Sequence, residues 1–307
     1  MDVGSNSTRL FLCSGVGPAG PEGERETTIT ALRRGAGPDG SVTAEALERL
    51  EACLAGYRER IERFGADDVE AVGTSAVRDA PNRDAVEAVV RRRLDAPLRV
   101  LAGGEEAALS FAGARLAAPG SDDTMLVMDI GGGSTELVRG GGAIEGAVSL
   151  DVGAVRFTER FLHSDPPSAD ETRALRDEVV AQAGPAIASI GGTAPMIGVA
   201  GTVTSLAAIL LGAYDPERVH RMRLAREDVE GITARLAAVP IERRREVPGL
   251  DPARAPAIVA GGLIAAGVME AAGAADLLVS ERDLLDGIAL ERGPGDAQAR
   301  RRPSASG

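Results

Sequence analysis

The 307-residue chain has no lysine and no tryptophan. Without lysine there can be no P-loop lysine and no Schiff base, and every basic role falls to arginine. Aromatic residues make up only 2%. The core must therefore be built from Ala, Leu, Val and Ile, and base-stacking platforms for nucleic acid are missing. The two cysteines, Cys13 and Cys53, match no metal or redox spacing. With His163 and His220 as the only histidines, a protein-built zinc site is disfavoured. The G-x-S-x-G elbow of serine hydrolases is absent. There is no basic, apolar leader at the N-terminus. The most apolar helical stretch, 257–272, is broken by glycines and an acid and falls short of the ~20 residues that span a bilayer. The chain reads as cytoplasmic, with no membrane partner. A net charge of −12 argues against nonspecific nucleic-acid binding, although local dipoles, arginines and a metal ion can still hold a polyanion.

What is present is glycine punctuation between periodic segments. After Thr43, an expected N-cap, Leu47, Leu50, Leu54, Tyr57, Ile61 and Phe64 form one helical stripe that stops at Gly65. Residues 67–77 read as a short strand entering a polar turn. Asn82 is expected to cap a second helix that buries Val86, Val89, Val90 and Leu94. A strand at 98–103 leads into a helix from about Glu105 to Leu116. "PGSDD" at 119–123 is a linker. It sets the expected division into domains at 1–121 and 122–292, followed by a polar tail, 293–307, that reads as disordered. Ser168 and Glu171 form a capping box. Strand–turn–helix at 195–211 and a late strand at 276–280 complete the pattern. The arginine triplets 91–93 and 243–245 read as solvated helix faces, and His220 as a surface residue. Alternating strands and helices predict an α/β fold with mixed sheets.

One pattern is written twice. "DVGSNST" at 2–8 and "DIGGGST" at 129–135 each place an aspartate at the end of an apolar strand, followed by a glycine turn and hydroxyls. A single D-x-G turn is ordinarily just a hairpin. Two copies opening two halves point to a duplicated domain with a cleft between the copies. Glycine-rich turns let N–H groups converge on phosphate oxygens, and Ser5, Ser7, Thr8, Ser134 and Thr135 add hydroxyls. Asp2 and Asp129 would repel phosphate unless a cation lay between them. Mg²⁺ suits that place, since it binds through one or two carboxylates together with substrate oxygens.

Together with "TSAVRDA" (74–80), "GGEEAALSFAGA" (103–114) and "GVAGTVTSLAA" (198–208), these motifs resemble the exopolyphosphatase and guanosine pentaphosphate phosphohydrolase family. The resemblance runs from Asp2 to about Leu290, in the short form with two domains. It implies two actin-like (ribonuclease H-like) domains with mixed sheets flanked by helices and an interdomain cleft. It also implies a site: Glu106 as catalytic base; Gly4, Ser5, Asn6, Ser7, Arg78, Gly131, Gly132, Gly133, Ser134 and Thr135 as phosphate-binding residues; Asp2 and Asp129 at Mg²⁺; and Gly201 and Thr202 in an adenosine-like loop lining the cleft. Glu105 is expected to serve only the helix dipole.

The implied reaction is removal of terminal phosphate from inorganic polyphosphate by a Glu-activated water. The same chemistry on guanosine pentaphosphate is an alternative. An ATP-dependent kinase and a non-catalytic polyphosphate or nucleotide sensor are rivals of other classes. Homodimerisation accords with the resemblance but has no residue signature here. The chain departs from the family pattern twice. Only Met1 precedes Asp2 where four or five apolar residues are usual, so either the start is assigned too late or the first strand is shortened. No lysine follows the "GT" of the adenosine-like loop, where Thr204 lies instead.

Overall fold

Asp2 and Val3 form β1, a two-residue strand that pairs antiparallel with β2 (Thr8–Gly17) and parallel with β4 (Ala71–Gly73). The computed structural model describes residues 1–37, 39–118, 120 and 122–293. The expected disordered tail lies, from 294 onward, outside the described residues, as do Pro119 and Ser121 of the linker. β3 (Gly20–Thr28) and β5 (Leu98–Val100) complete the first sheet in the order β3-β2-β1-β4-β5.

The second sheet repeats that order. β6 (Met125–Ile130), β7 (Thr135–Gly140) and β8 (Ile144–Leu150) form an antiparallel meander. β9 (Met196–Val199) adds in parallel to β6, followed by β11 (Asp276–Val279), with β10 (Arg223–Ala225) as an extra edge strand. Each sheet therefore carries its D-x-G turn between the first two strands of a meander, at the end of a central strand. Every residue of β6 is buried, the continuous apolar run expected of a strand covered on both faces.

In the first lobe, α1 (Ala44–Phe64), the short α2 (Ser75–Arg78), α3 (Arg83–Leu94) and α4 (Gly103–Ala114) follow the strands. Thr43 caps α1 by accepting from Ala46 N at 3.2 Å, and Gly65 ends it in the left-handed region at φ 74°. The predicted stripe buries Leu50, Leu54, Tyr57 and Ile61 but leaves Phe64 at the surface. Tyr57 OH donates to Thr8 O at 2.7 Å and so pins α1 to β2. Asn82 precedes α3 but does not cap it with its side chain. Its amide instead makes two bonds to the backbone of Val42, which tie the start of α3 to the start of α1.

The second lobe contains α5 (Ala154–Phe161), α6 (Ala169–Ser189), α7 (Ala200–Leu211), α8 (Pro216–Val219), α9 (Arg226–Ala237), α10 (Ile241–Arg244), α11 (Ile258–Ala271) and α12 (Leu284–Arg292). The Ser168–Glu171 capping box forms as expected. Arg91, Arg92 and Arg93 are solvated, but the other triplet is not uniformly so. Arg244 is 3% exposed, donates to Leu236 O at 2.8 Å and pairs with Asp165, because α10 is a single turn folded back on α9.

Each half lends the other a helix. α4 lies on the second sheet, packing Ala107, Phe111 and Ala114 against Val127, Val138, Ile197 and Val199. The last helix, α12, returns to cover β2 and β3 and packs along α4. Its contact with α4 is backbone to backbone. A Cβ on Gly113 would fall 1.9 Å from Asp283 O, and one on Gly287 would fall 2.0 Å from Leu109 O. Neither oxygen can yield without moving a helix. We therefore expect Gly113→Ala and Gly287→Ala each to destabilise the protein by at least ~3 kcal/mol, the upper end of ordinary overpacking, as measured by urea unfolding. Gly56→Ala, with open space around its Cβ, is the control.

Candidate active site

The two turns are built alike. Gly4 N donates to Ser7 O at 3.0 Å, and Gly131 N donates to Ser134 O at 2.9 Å. These amides close the turns, so Gly4 and Gly131 shape the loops rather than present donors. The loops meet across the cleft. A Cβ on Gly132 would lie 2.8 Å from Ser5 Cβ, and one on Gly133 would lie 2.5 Å from Ser75 Oγ, so only glycine permits the approach. Between them lies a cavity of about 80 Å³. It brings together Asp2, Gly4, Ser5, Asn6, Ser7, Glu106, Asp129, Gly131, Gly132, Gly201 and Thr202 from the sequence-derived set. Its inner end shares Arg9, Ala200, Gly201 and Arg254 with a second cavity of about 520 Å³.

The remaining predicted residues stand behind this wall. Arg78 donates through Nη1 to Glu106 Oε2 at 2.9 Å and to Leu101 O at 3.0 Å. Gly133 packs on Ser75 and Ser5. Ser134 is buried, and its hydroxyl opposes the rise in the pKa of Glu136. Thr135 is fully buried, with its hydroxyl donating to Val152 O, and Thr8 likewise faces Thr30 Oγ1. Both threonines brace their strands. His220 lines neither cavity and accepts from Glu281 N at 3.3 Å.

The adjacent glutamates of α4 divide their roles. Glu105 reaches back to cap the helix, accepting from Ala102 N at 2.9 Å. Glu106 points into the cavity and is 7% exposed. Burial raises its pKa to about 7, with Arg78 opposing and the charges of Asp129 and Asp2 adding to the rise. Asp129 is raised to about 6, first by burial; its Oδ2 accepts a 2.5 Å bond from Ser110 Oγ, which opposes the rise. Ser110 lies one turn beyond Glu106, so one face of α4 brings Glu106 to the cavity and orients Asp129.

Several residues escaped the motif reading. Arg9 stands opposite Asp2 in the β1–β2 ladder and donates through Nε and Nη2 to Asp2 Oδ2, while its Nη1 pairs with Asp283. Glu136 stands opposite Asp129 in the same register. It is 1% exposed, and burial followed by Glu106 and Asp129 holds its pKa well above the ordinary range. Both occupy the seventh position after their aspartate, so continuing the repeat comparison by one residue would have found them. Arg254 comes from a 3₁₀ turn (Pro252–Arg254) and lies against Gly201, where a Cβ would fall 2.0 Å from its Nη1. No local sequence signal marks it.

The donor set suits a divalent cation completed by substrate. Asp2 Oδ1 is buried with no hydrogen-bond partner, and Ser110 occupies only one oxygen of Asp129. Among the described residues no group of three potential ligands forms a closed metal cage. Two carboxylates with substrate oxygens and water is the manner of Mg²⁺.

Two lobes of like sheet topology, with a buried carboxylate at the gap between their glycine turns, suit a phosphoanhydride hydrolase. Comparison with known proteins agrees with that class. The chain belongs to the Ppx/GppA phosphatase family, whose model matches residues 24–294. It is 37% identical to Exopolyphosphatase 2 of Mycobacterium tuberculosis, over 94% of this chain and 96% of that one. It is 30% identical to Exopolyphosphatase 1 of Mycobacterium bovis, over 95% and 87%. A crystal structure of an exopolyphosphatase from Cytophaga hutchinsonii superposes with a TM-score of 0.85 at 27% identity, covering 95% of each chain. Among the described residues no helix is long and apolar enough to cross a membrane.

The raised acids make stability depend on pH. In the folded protein Glu106 and Asp129 keep protons that the unfolded chain releases near pH 4. The unfolded state therefore binds fewer protons between about pH 4 and 7, and stability falls as pH rises through that window. The expected loss is roughly 2–5 kcal/mol in metal-free buffer, at ~1.4 kcal/mol per pKa unit. Urea unfolding across that pH range measures it, and Glu106→Gln should flatten part of the slope.

Proposed function

We propose that the chain removes terminal orthophosphate from inorganic polyphosphate. The observation that carries this reading is the Glu106 carboxylate, buried at a phosphate-sized gap, held by Arg78 and poised near pH 7. A base of that pKa takes a proton efficiently at neutral pH.

In this mechanism the loops at 2–8 and 129–135 hold the terminal phosphoryl group, with Ser5, Asn6 and Ser7 facing it from one side and Gly132 from the other. Glu106 accepts a proton from water as the water oxygen bonds to the terminal phosphorus. The anhydride P–O bond breaks, and its electron pair leaves on the shortened chain. Asp2, through Oδ1, and Asp129 would hold Mg²⁺, which when bound neutralises phosphate charge. Arg78 keeps the Glu106 carboxylate oriented. Catalysis of this kind is mostly positioning and charge neutralisation. A water-activating carboxylate is unsuited to a kinase, which must keep water from the transferred group.

The alternative substrate, guanosine pentaphosphate, is favoured by one feature. The 520 Å³ cavity beyond Arg254 offers Thr204, Ser205, Tyr214 and Ser280, neutral hydrogen-bonding groups suited to a nucleoside. Phosphate release from polyphosphate and from guanosine pentaphosphate, measured side by side, separates the two readings. On the preferred substrate Glu106→Gln should lower kcat by about 10²–10⁴-fold. Wild-type kcat/KM should rise with pH through an acid limb near 7. Full activity in Glu106→Gln would remove the base from the mechanism.

A further inference from the structure

The phosphate loops are braced from behind by charged residues that also face one another across the cleft. In the first lobe Arg33 N donates to Ser5 O at 3.1 Å, and Ala31 N to Asn6 O at 2.8 Å. In the second, Val155 N and Arg156 N both donate to Gly132 O, at 2.9 and 3.0 Å. The side chain of Arg156 goes further. Its Nε donates to Gly133 O at 2.7 Å, and its Nη2 crosses to Asp79 Oδ2 in the first lobe, also at 2.7 Å. Asp79 follows Arg78 directly, with Oδ1 3.7 Å from Arg78 Nε. An unbroken line of polar contacts thus runs from Glu106 through Arg78, Asp79 and Arg156 to the second phosphate loop.

Asp151, on the same lobe as Arg156 and 3.4 Å from it, is available to hold Arg156 when the lobes part.

We propose that Asp79 and Arg156 are positioning residues that clasp the two phosphate loops together. Closing the cleft and setting Arg78 against Glu106 are then a single event. A phosphoryl group gripped by both loops stabilises the clasped state, and breaking the clasp weakens substrate binding more than it slows chemistry. This rests on the hydrolase reading above for its kinetic test, but not for its structural one.

The test compares wild type with Asp79→Asn, Arg156→Gln and the double variant. In phosphate release, each single change should raise KM about 5–20-fold, the scale of a lost charged hydrogen bond, and lower kcat less than threefold. The double variant should be no worse than either single. Equal KM in all four proteins, or losses that multiply in the double, would overturn the clasp. The charge reversal Asp79→Arg with Arg156→Asp should recover much of the KM that each reversal alone loses. Should that protein not fold, the neutral cycle decides alone. Small-angle X-ray scattering needs no substrate. The neutral variants should show a larger radius of gyration than wild type, and unchanged radii would refute the clasp whether or not the wild-type protein releases phosphate. A wild type that scatters as clasped but releases no phosphate would instead count against the hydrolase assignment.

Discussion

Four carboxylates share the seam between the lobes, and the rest of the structure serves that confinement. Asp2, Glu106, Asp129 and Glu136 are each less than a tenth exposed. Burying like charges together is strongly unfavourable unless they are protonated or paired. Both remedies appear here. Arg9 and Arg78 pair with Asp2 and Glu106, while Asp129 and Glu136 are driven toward the protonated form. A fold that sought stability alone would place none of them there. The confinement makes sense as preparation for a cation and a phosphate, whose charges would complete the balance.

The duplicated backbone carries an unequal set of charges. Asp2 faces Arg9 in its ladder, while Asp129 faces Glu136 in the same register. The first lobe is thus locally neutralised, while in the second Asp129 adds its charge to that of Glu106. Glu106 is raised to about 7 first by burial, with the charges of Asp129 and Asp2 adding to the rise. The absence of lysine suits this arrangement. Arg9 reaches Asp2 and Asp283 at once through a planar fork, and an ammonium group offers no such geometry.

The exchange of helices keeps the seam stable. α4 carries Glu106 and Ser110 but rests on the sheet of the second lobe, so Glu106 and Asp129 are held in one packed unit. α12 begins with Asp283, which caps its own helix and also pairs with Arg9. The close approach of α4 and α12 at Gly113 and Gly287 joins these two supports.

The sequence by itself determined the local structure and the principal chemistry. Thr43 and Gly65 bounded α1, Ser168 and Glu171 opened α6, and the paired D-x-G turns marked the two loops that line one cavity, because caps and turns depend on neighbours a few residues away. The split between Glu105 and Glu106 was legible from helix position together with the family pattern. Other features were not. Asn82 looked like a cap and became a tie to Val42; Arg244 looked solvated and proved buried; Thr135 looked like a phosphate donor and braces its strand. Arg254, Asp283 and the Asp79–Arg156 pair left no trace in any short window. Their roles arise from groups distant in sequence and adjacent in space, where desolvation and Coulomb attraction depend on packing that only the assembled lobes create.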